Sequence, residues 1–311
     1  MRPSYKRAEK RKTLCSRIIV TVAGLLNRIH VYINYNGGGM KIAVAGKGGT
    51  GKTLVAGGLA FMLAHAGYTT IAIDADPAPN LGFMLGLSTR DAGAIVPISK
   101  NEALIAAKTG TGYPGVYSLK FTVDDVALKY AVPTPAGVHL LVMGTVVSMG
   151  AGCTCPANSV IRALLRHLIV DRDEAVVLDM EAGVEHLGRG TAEGVDLMLV
   201  VSDANRQSLT IAGTIAWMAQ DAGIPRTALI GNRIADAGQE QVIREFAKAQ
   251  DLAVAGVIPF DPAVVRAGIA GDSIANLAGS AALLALSGII SRIDKEVQHK
   301  PHTQDDTRKF S

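Results

Sequence analysis

Gly46-Lys47-Gly48-Gly49-Thr50-Gly51-Lys52-Thr53 is the stretch that decides the fold of this chain. An apolar run at 41–45 precedes it and a helical pattern at 52–66 follows it, so the glycines form a strand-to-helix turn. The stretch satisfies the GxxxxGK[ST] pattern, in which backbone amides close around phosphates and the helix N-terminus adds partial positive charge. Gly46, Gly48, Gly49, Thr50 and Gly51 then supply the cradle, and Lys52 meets the β- and γ-phosphates. The Thr53 hydroxyl is placed to hold Mg²⁺.

Outward from this turn, short apolar runs alternate with helical spacing. The runs at 70–74, 138–143, 175–179, 197–202, 227–232 and 254–259 read as further strands, and 157–168, 206–222, 239–249 and 281–297 read as helices. This rhythm predicts an α/β fold with a doubly wound, mainly parallel sheet flanked by helices. Ligands in such sheets sit at the carboxyl ends of the strands. Residues 85–137, with glycine-rich 109–115, read as an insertion with helical pieces.

The chain divides into a basic extension at 1–39, one phosphate-loop domain at 40–298 and a polar tail at 299–311. The formal charge is +4, but residues 1–39 hold eight Lys/Arg and one Glu, a net +7, which leaves −3 for residues 40–311. A mildly acidic body offers no nucleic-acid surface. The apolar run at 18–26 is too short to span a bilayer, which needs about 20 apolar residues, and no stable membrane association is expected. The junction Asn36-Gly37-Gly38-Gly39-Met40 reads as a translated ribosome-binding site, so the expectation is that Met40 is the native start. Three cysteines in 311 residues point to a reducing, cytoplasmic setting.

Lys47, directly after the first glycine, is a second lysine in the loop. The pattern resembles the deviant Walker A loop of the MinD/ParA, ArsA and nitrogenase iron-protein group. That resemblance implies ATP hydrolysis in a face-to-face homodimer bridged by ATP, with Lys47 reaching the partner subunit's nucleotide. At the end of the second strand, Asp74-Ala75-Asp76-Pro77-Ala78-Pro79-Asn80 looks like the group's switch I, so Asp76 takes the role of orienting the attacking water. Asp74 supports the loop or the Mg²⁺ shell. Asp179 ends the strand at 175–179 where a Walker B acid belongs, and Gly183 suits a second switch. Asn232 matches the group's base-reading asparagine, and Pro259-Phe260-Asp261 stands as the other wall of an adenine site.

Gly150-Ala151-Gly152-Cys153-Thr154-Cys155-Pro156 precedes the helix at 157–168. In an extended C-x-C both side chains lie on one face, so two thiolates can grip one soft metal. A lone C-x-C is equally compatible with two buried thiols of no function. In an ATP-bridged dimer a symmetric partner completes a four-cysteine site.

KIAVAGKGGTGKT (41–53), IDADPAPNLG (73–82), LLVMGTV (140–146), GCTCP (152–156), IRALLRHL (161–168), LDMEAGVEHLGRGTA (178–192) and VIPFDPAV (257–264) resemble the CooC family. That family assists nickel insertion into carbon monoxide dehydrogenase, and the likeness covers nearly all of 40–298. It implies that Cys153 and Cys155 bind Ni²⁺, with Zn²⁺ able to compete, and that the partner is a nickel-dependent carbon monoxide dehydrogenase or acetyl-CoA synthase apoenzyme. It gives His186 no ligand status. Thr50 stands where valine is common. Two other classes compete: an iron–sulfur redox protein, whose ligands are spaced unlike C-x-C, and a ParA/MinD-like positioning ATPase, which needs a basic or amphipathic surface.

Overall fold

The computed structural model describes residues 16–21, 30–35, 39–109, 129–144, 156–171, 174–181, 189–192 and 194–298. Among these, eight strands form one sheet in the order β10-β9-β8-β3-β7-β4-β6-β5. They are β3 (Lys41–Gly46), β4 (Thr70–Asp74), β5 (Val132–Pro133), β6 (His139–Val142), β7 (Ala175–Asp179), β8 (Leu197–Ser202), β9 (Thr227–Ile234) and β10 (Ala253–Pro259). All neighbours are parallel except β5, which pairs antiparallel with β6. The seven strands read from the sequence are these, less the short edge strand β5.

The extension differs from the reading of it as one apolar run. It contains an antiparallel ribbon, β1 (Ser16–Thr21) with β2 (His30–Tyr35).

Every residue of β3, β4, β7 and β8 is buried. Strands buried on both faces read as continuous apolar runs, which is why the sequence pattern found them. On one face the sheet is covered by α1 (Lys52–His65) and the C-terminal helix Ala281–Gln298. On the other it is covered by helices Pro156–Arg166, Arg206–Asp221 and Ala237–Ala249. Among the described residues the α-helices are, in chain order, α1, α2 (Leu81–Met84), α3 (Thr89–Ala94), α4 (Glu102–Thr109), α5 (Pro156–Arg166), α6 (Arg189–Ala192), α7 (Arg206–Asp221), α8 (Ala237–Ala249), α9 (Pro262–Ala270) and α10 (Ala281–Gln298). α1 packs against both the sheet and α10 and is buried nearly all round, so it carries no polar stripe.

The insertion read at 85–137 contains α3, α4 and β5, and residues 110–128 lie outside the described ones. α9 is an element the sequence reading did not assign. Asp261 caps it by accepting from Ala263 N at 2.8 Å, Pro262 opens it, and Gly271 in the left-handed region closes it.

Candidate functional site

β3 lies between β8 and β7, and the loop after it therefore emerges at the centre of the sheet's carboxyl edge. The loop is tight at its first residue. A Cβ on Gly46 would lie 2.3 Å from the Val201 carbonyl oxygen of β8, so only glycine lets the chain turn there.

Within the turn, three donors converge on the Lys47 carbonyl: Thr50 N at 3.2 Å, Thr50 Oγ1 at 2.9 Å and Lys52 Nζ at 3.5 Å. Thr50 thus contributes its hydroxyl as well as its backbone to the loop. Gly48 and Gly49 are exposed at the tip. Lys52 is buried, with only 6% of its surface exposed.

The start of α1 is left without a protein cap. Gly51 at φ 93° supplies no side-chain acceptor, and no acidic residue stands in the first turn. The first amides of a helix need acceptors, and here a lysine adds positive charge to the dipole's positive end. An anion satisfies all of these at once. The backbone therefore favours phosphate on physical grounds that stand apart from the motif.

Beside the loop, β7 ends in Asp179 and β4 in Asp74, directly opposite each other in register. Both are buried. Both oxygens of Asp74 are taken by the loop that follows it, accepting from Asp76 N at 3.1 Å and Leu81 N at 2.9 Å. Burial raises its pKa against those bonds.

Asp179 accepts a hydrogen bond from Thr53, but its Oδ1 is buried without a partner. Desolvation pushes its pKa up to about 7, with Asp74 and Asp76 adding to the rise while Thr53 and Lys52 oppose it. A buried carboxylate oxygen lacking a donor, next to a threonine hydroxyl, is a donor set suited to a hard divalent cation. Mg²⁺ fits these residues.

Asp76 is half-buried, and its Oδ1 accepts from Ala78 N at 2.9 Å. Lys47 turns away from Lys52: its Nζ donates to Gln207 Oε1 of α7 at 3.3 Å. Sequence reasoning missed that contact, because the two residues are 160 positions apart.

On the far side of the loop, Leu54, Asn232, Arg233, Pro259, Phe260 and Val265 line a cleft. The residues read as adenine walls are therefore neighbours. Asn232 is also tied to the loop: its Nδ2 donates to the Thr50 carbonyl at 2.7 Å, and its Oδ1 accepts from Arg233 N at 2.9 Å. Asp261 accepts from Ala263 N and from Ala282 N at 3.0 Å, so it ties the starts of α9 and α10 rather than facing the cleft with free oxygens.

Cys153, Cys155, Gly183 and His186 lie outside the described residues. No helix among the described residues is long and apolar enough to cross a membrane.

A parallel sheet with an uncapped glycine loop, a buried lysine and paired aspartates at adjacent strand ends defines an ATP-hydrolysing P-loop protein. Residues 41–274 match the profile of the CobQ/CobB/MinD/ParA nucleotide-binding domain. The carbon monoxide dehydrogenase accessory protein CooC of Rhodospirillum rubrum is 43% identical over 76% of this chain and 90% of its own length. An uncharacterized ATP-binding protein of Methanocaldococcus jannaschii is 39% identical over 78% of this chain and 93% of its own. Among solved structures, MinD of Pyrococcus horikoshii with Mg-ADP superposes with a TM-score of 0.58 at 20% identity, covering 83% of this chain and 97% of its own. The MinC:MinD complex of Aquifex aeolicus gives 0.59 at 19% identity, over 81% and 95%. The chain belongs to the MinD/ParA nucleotide-binding family, and within it is a CooC-type ATPase.

Proposed function

We propose that this chain is an ATP-dependent maturation factor that binds nickel through Cys153 and Cys155 and assists its insertion into a nickel-dependent carbon monoxide dehydrogenase. The observation that carries the reading is the 43% identity, along 90% of its length, with a protein named as that enzyme's accessory factor. A related acetyl-CoA synthase is a client of the same kind. Nickel is cargo in this scheme, and ATP provides the drive.

The site's own residues supply the hydrolytic chemistry. The amides at the start of α1 and the Lys52 ammonium hold the triphosphate, and Thr53 and Asp179 would hold Mg²⁺, which supplies neutralisation of the phosphate charge. Asp76 orients a water for attack on the γ-phosphorus. The bond from that phosphorus to the bridging oxygen breaks, ADP leaves, and the water's proton passes to the Asp76 carboxylate or to solvent.

Asp74 connects this chemistry to shape. It fixes the backbone of the segment carrying Asp76, so loss of the γ-phosphate is felt by a segment that is tied at two amides and exposed between them at 77–80. Lys47 is the residue that bridges to the partner subunit's nucleotide. In the ATP-bound pair the two Cys153/Cys155 sets share one metal, and hydrolysis loosens the pair and releases it.

Equilibrium dialysis against Ni²⁺, with a non-hydrolysable ATP analogue, with ADP and with no nucleotide, tests the coupling. Tight binding in the analogue state alone, abolished by Cys153→Ala, is the expected result. Equal nickel affinity in all three states contradicts it.

A further inference from the structure

We infer that Gln207 is a positioning residue for Lys47: it holds the loop's second ammonium against its own chain, and pairing of two chains on ATP requires that hold to be released. The inference rests on the reading of Lys47 as the bridging residue and is independent of the nickel proposal.

Sheet order brings the two residues together. β3 and β8 run parallel with Gly46 opposite Val201, so the loops that leave their carboxyl ends emerge side by side. Lys47 opens one loop, and Gln207 stands in the first turn of α7, which follows the other. That second loop is built to place the glutamine. Asp203 Oδ1 accepts from Asn205 N at 3.1 Å, and Asn205 Oδ1 accepts from Gln207 N at 2.9 Å, capping α7. The Gln207 backbone is thus fixed by side chains other than its own, and its exposed amide is left to take Lys47.

Lys47 is held at both ends. Thr50 and Lys52 donate to its carbonyl inside the loop, and its Nζ donates to Gln207 Oε1 at 3.3 Å. The chemistry of that acceptor suits a hold that is given up. The contact is long, exposed and made to a neutral amide oxygen, so it selects one direction for a flexible side chain without binding it strongly. A carboxylate in the same place would hold the ammonium by charge and compete with phosphate. Triphosphate on a second chain offers charged oxygens, and exchanging a neutral acceptor for a charged one runs toward pairing. Nucleotide in the chain's own site acts in the same direction. Lys52 Nζ, 3.5 Å from the Lys47 carbonyl, is the ammonium that phosphate draws away, and its departure removes one of the donors that fix Lys47.

Two substitutions of this one exposed side chain test the inference with opposite signs. Gln207→Ala removes the hold, and Gln207→Glu makes it a charged one. Pairing measured by sedimentation with a non-hydrolysable ATP analogue should tighten in Gln207→Ala and weaken in Gln207→Glu, and the weakening should shrink as salt is raised. Each chain releases one hold, so a change of about twofold per chain becomes about fourfold in the pairing constant. ADP affinity should be the same in both variants as in the unaltered protein, and thermal unfolding establishes that both are folded. Damage to α7 cannot give this pattern, because an acidic residue in the first turn of a helix strengthens it.

Pairing unaltered in both variants means that Lys47 crosses without leaving Gln207, and overturns the inference; so does weaker pairing in Gln207→Ala. Lys47→Ala, measured alongside, separates this failure from failure of the bridge. If Lys47→Ala pairs as the unaltered protein does, the bridge is wrong and the inference falls with it. If Lys47→Ala stays single while both Gln207 variants pair as the unaltered protein does, the bridge stands and the hold alone is removed.

Discussion

Asp74 and Asp179 face each other across the β4–β7 pair, in register, with Ala75 N donating to the Asp179 carbonyl at 2.9 Å. Their environments divide them: Asp74 has both oxygens filled by backbone amides, whereas Asp179 keeps one buried oxygen without a donor. One carboxylate is structural support for the loop, and the other is open to a cation.

This difference gives a pH prediction. Burial raises the Asp179 pKa from 3.8 to about 7, so between those values the folded protein holds a proton that the unfolded chain has released. Its contribution to stability is fully present below 3.8 and is lost as pH rises through about 7; Asp74 acts in the same direction. A cation replaces the proton, so Mg²⁺ with nucleotide should raise the unfolding temperature more at about pH 8 than at about pH 5.5. Asp179→Asn should remove most of that difference. A Mg²⁺ effect that is independent of pH in the unaltered protein contradicts the assignment.

Lys52 and Asp76 should fail differently. Lys52→Ala removes a buried ammonium from the phosphate site and should weaken ATP binding and cut turnover by about 10² or more. Asp76→Asn leaves the phosphate cradle intact, so turnover should fall by about 10² to 10⁴ while ATP affinity stays within a few-fold. Steady-state hydrolysis paired with equilibrium nucleotide binding separates the two, and equal loss of affinity in both variants argues against the roles given.

Lys47 contributes its carbonyl to the loop and its ammonium outward, to Gln207. Substituting the side chain therefore leaves the three bonds to that carbonyl in place. Lys47→Ala should bind ADP as the unaltered protein does and stay a single chain when ATP is present. A variant that still pairs on ATP removes Lys47 from the bridge.

Asp261 joins two helix starts, accepting from Ala263 N and Ala282 N. Burial works to raise its pKa, but these bonds and one from Ser280 outweigh it and leave the pKa lowered. Its stabilisation is therefore present above 3.8 and is lost as pH falls through its lower folded value. Asp261→Ala should cost about 1 to 2 kcal/mol, the loss of helix caps, with little change in hydrolysis. Denaturant unfolding at neutral pH measures it; a variant of unaltered stability contradicts the capping account.

Much of this was legible from residue order, for a physical reason. Phosphate binding by a loop is local, so the glycines, Lys52 and Thr53 are adjacent in the chain. Asp74 and Asp179 were readable because each ends a continuous apolar run, the mark of a strand buried on both faces. What pattern could not give was contact across long separations. Asn232 meets Thr50 across 182 positions, and the reading of a base-facing asparagine did not anticipate that bond. α9 was missed although its signals were present, an aspartate, a proline and a closing glycine at 261, 262 and 271; the aspartate was read with Pro259 and Phe260 as part of an adenine wall. The edge strand β5 has only two residues, Val132 and Pro133, too few to display alternation.

The most direct test of the whole account is the native mass of the protein with a non-hydrolysable ATP analogue and Ni²⁺ both present, recorded with the metal content of each species. The account predicts a dimer that carries a single nickel for its two chains, and a single chain without tightly held nickel when ADP replaces the analogue. A protein that remains a single chain with analogue and nickel together contradicts it.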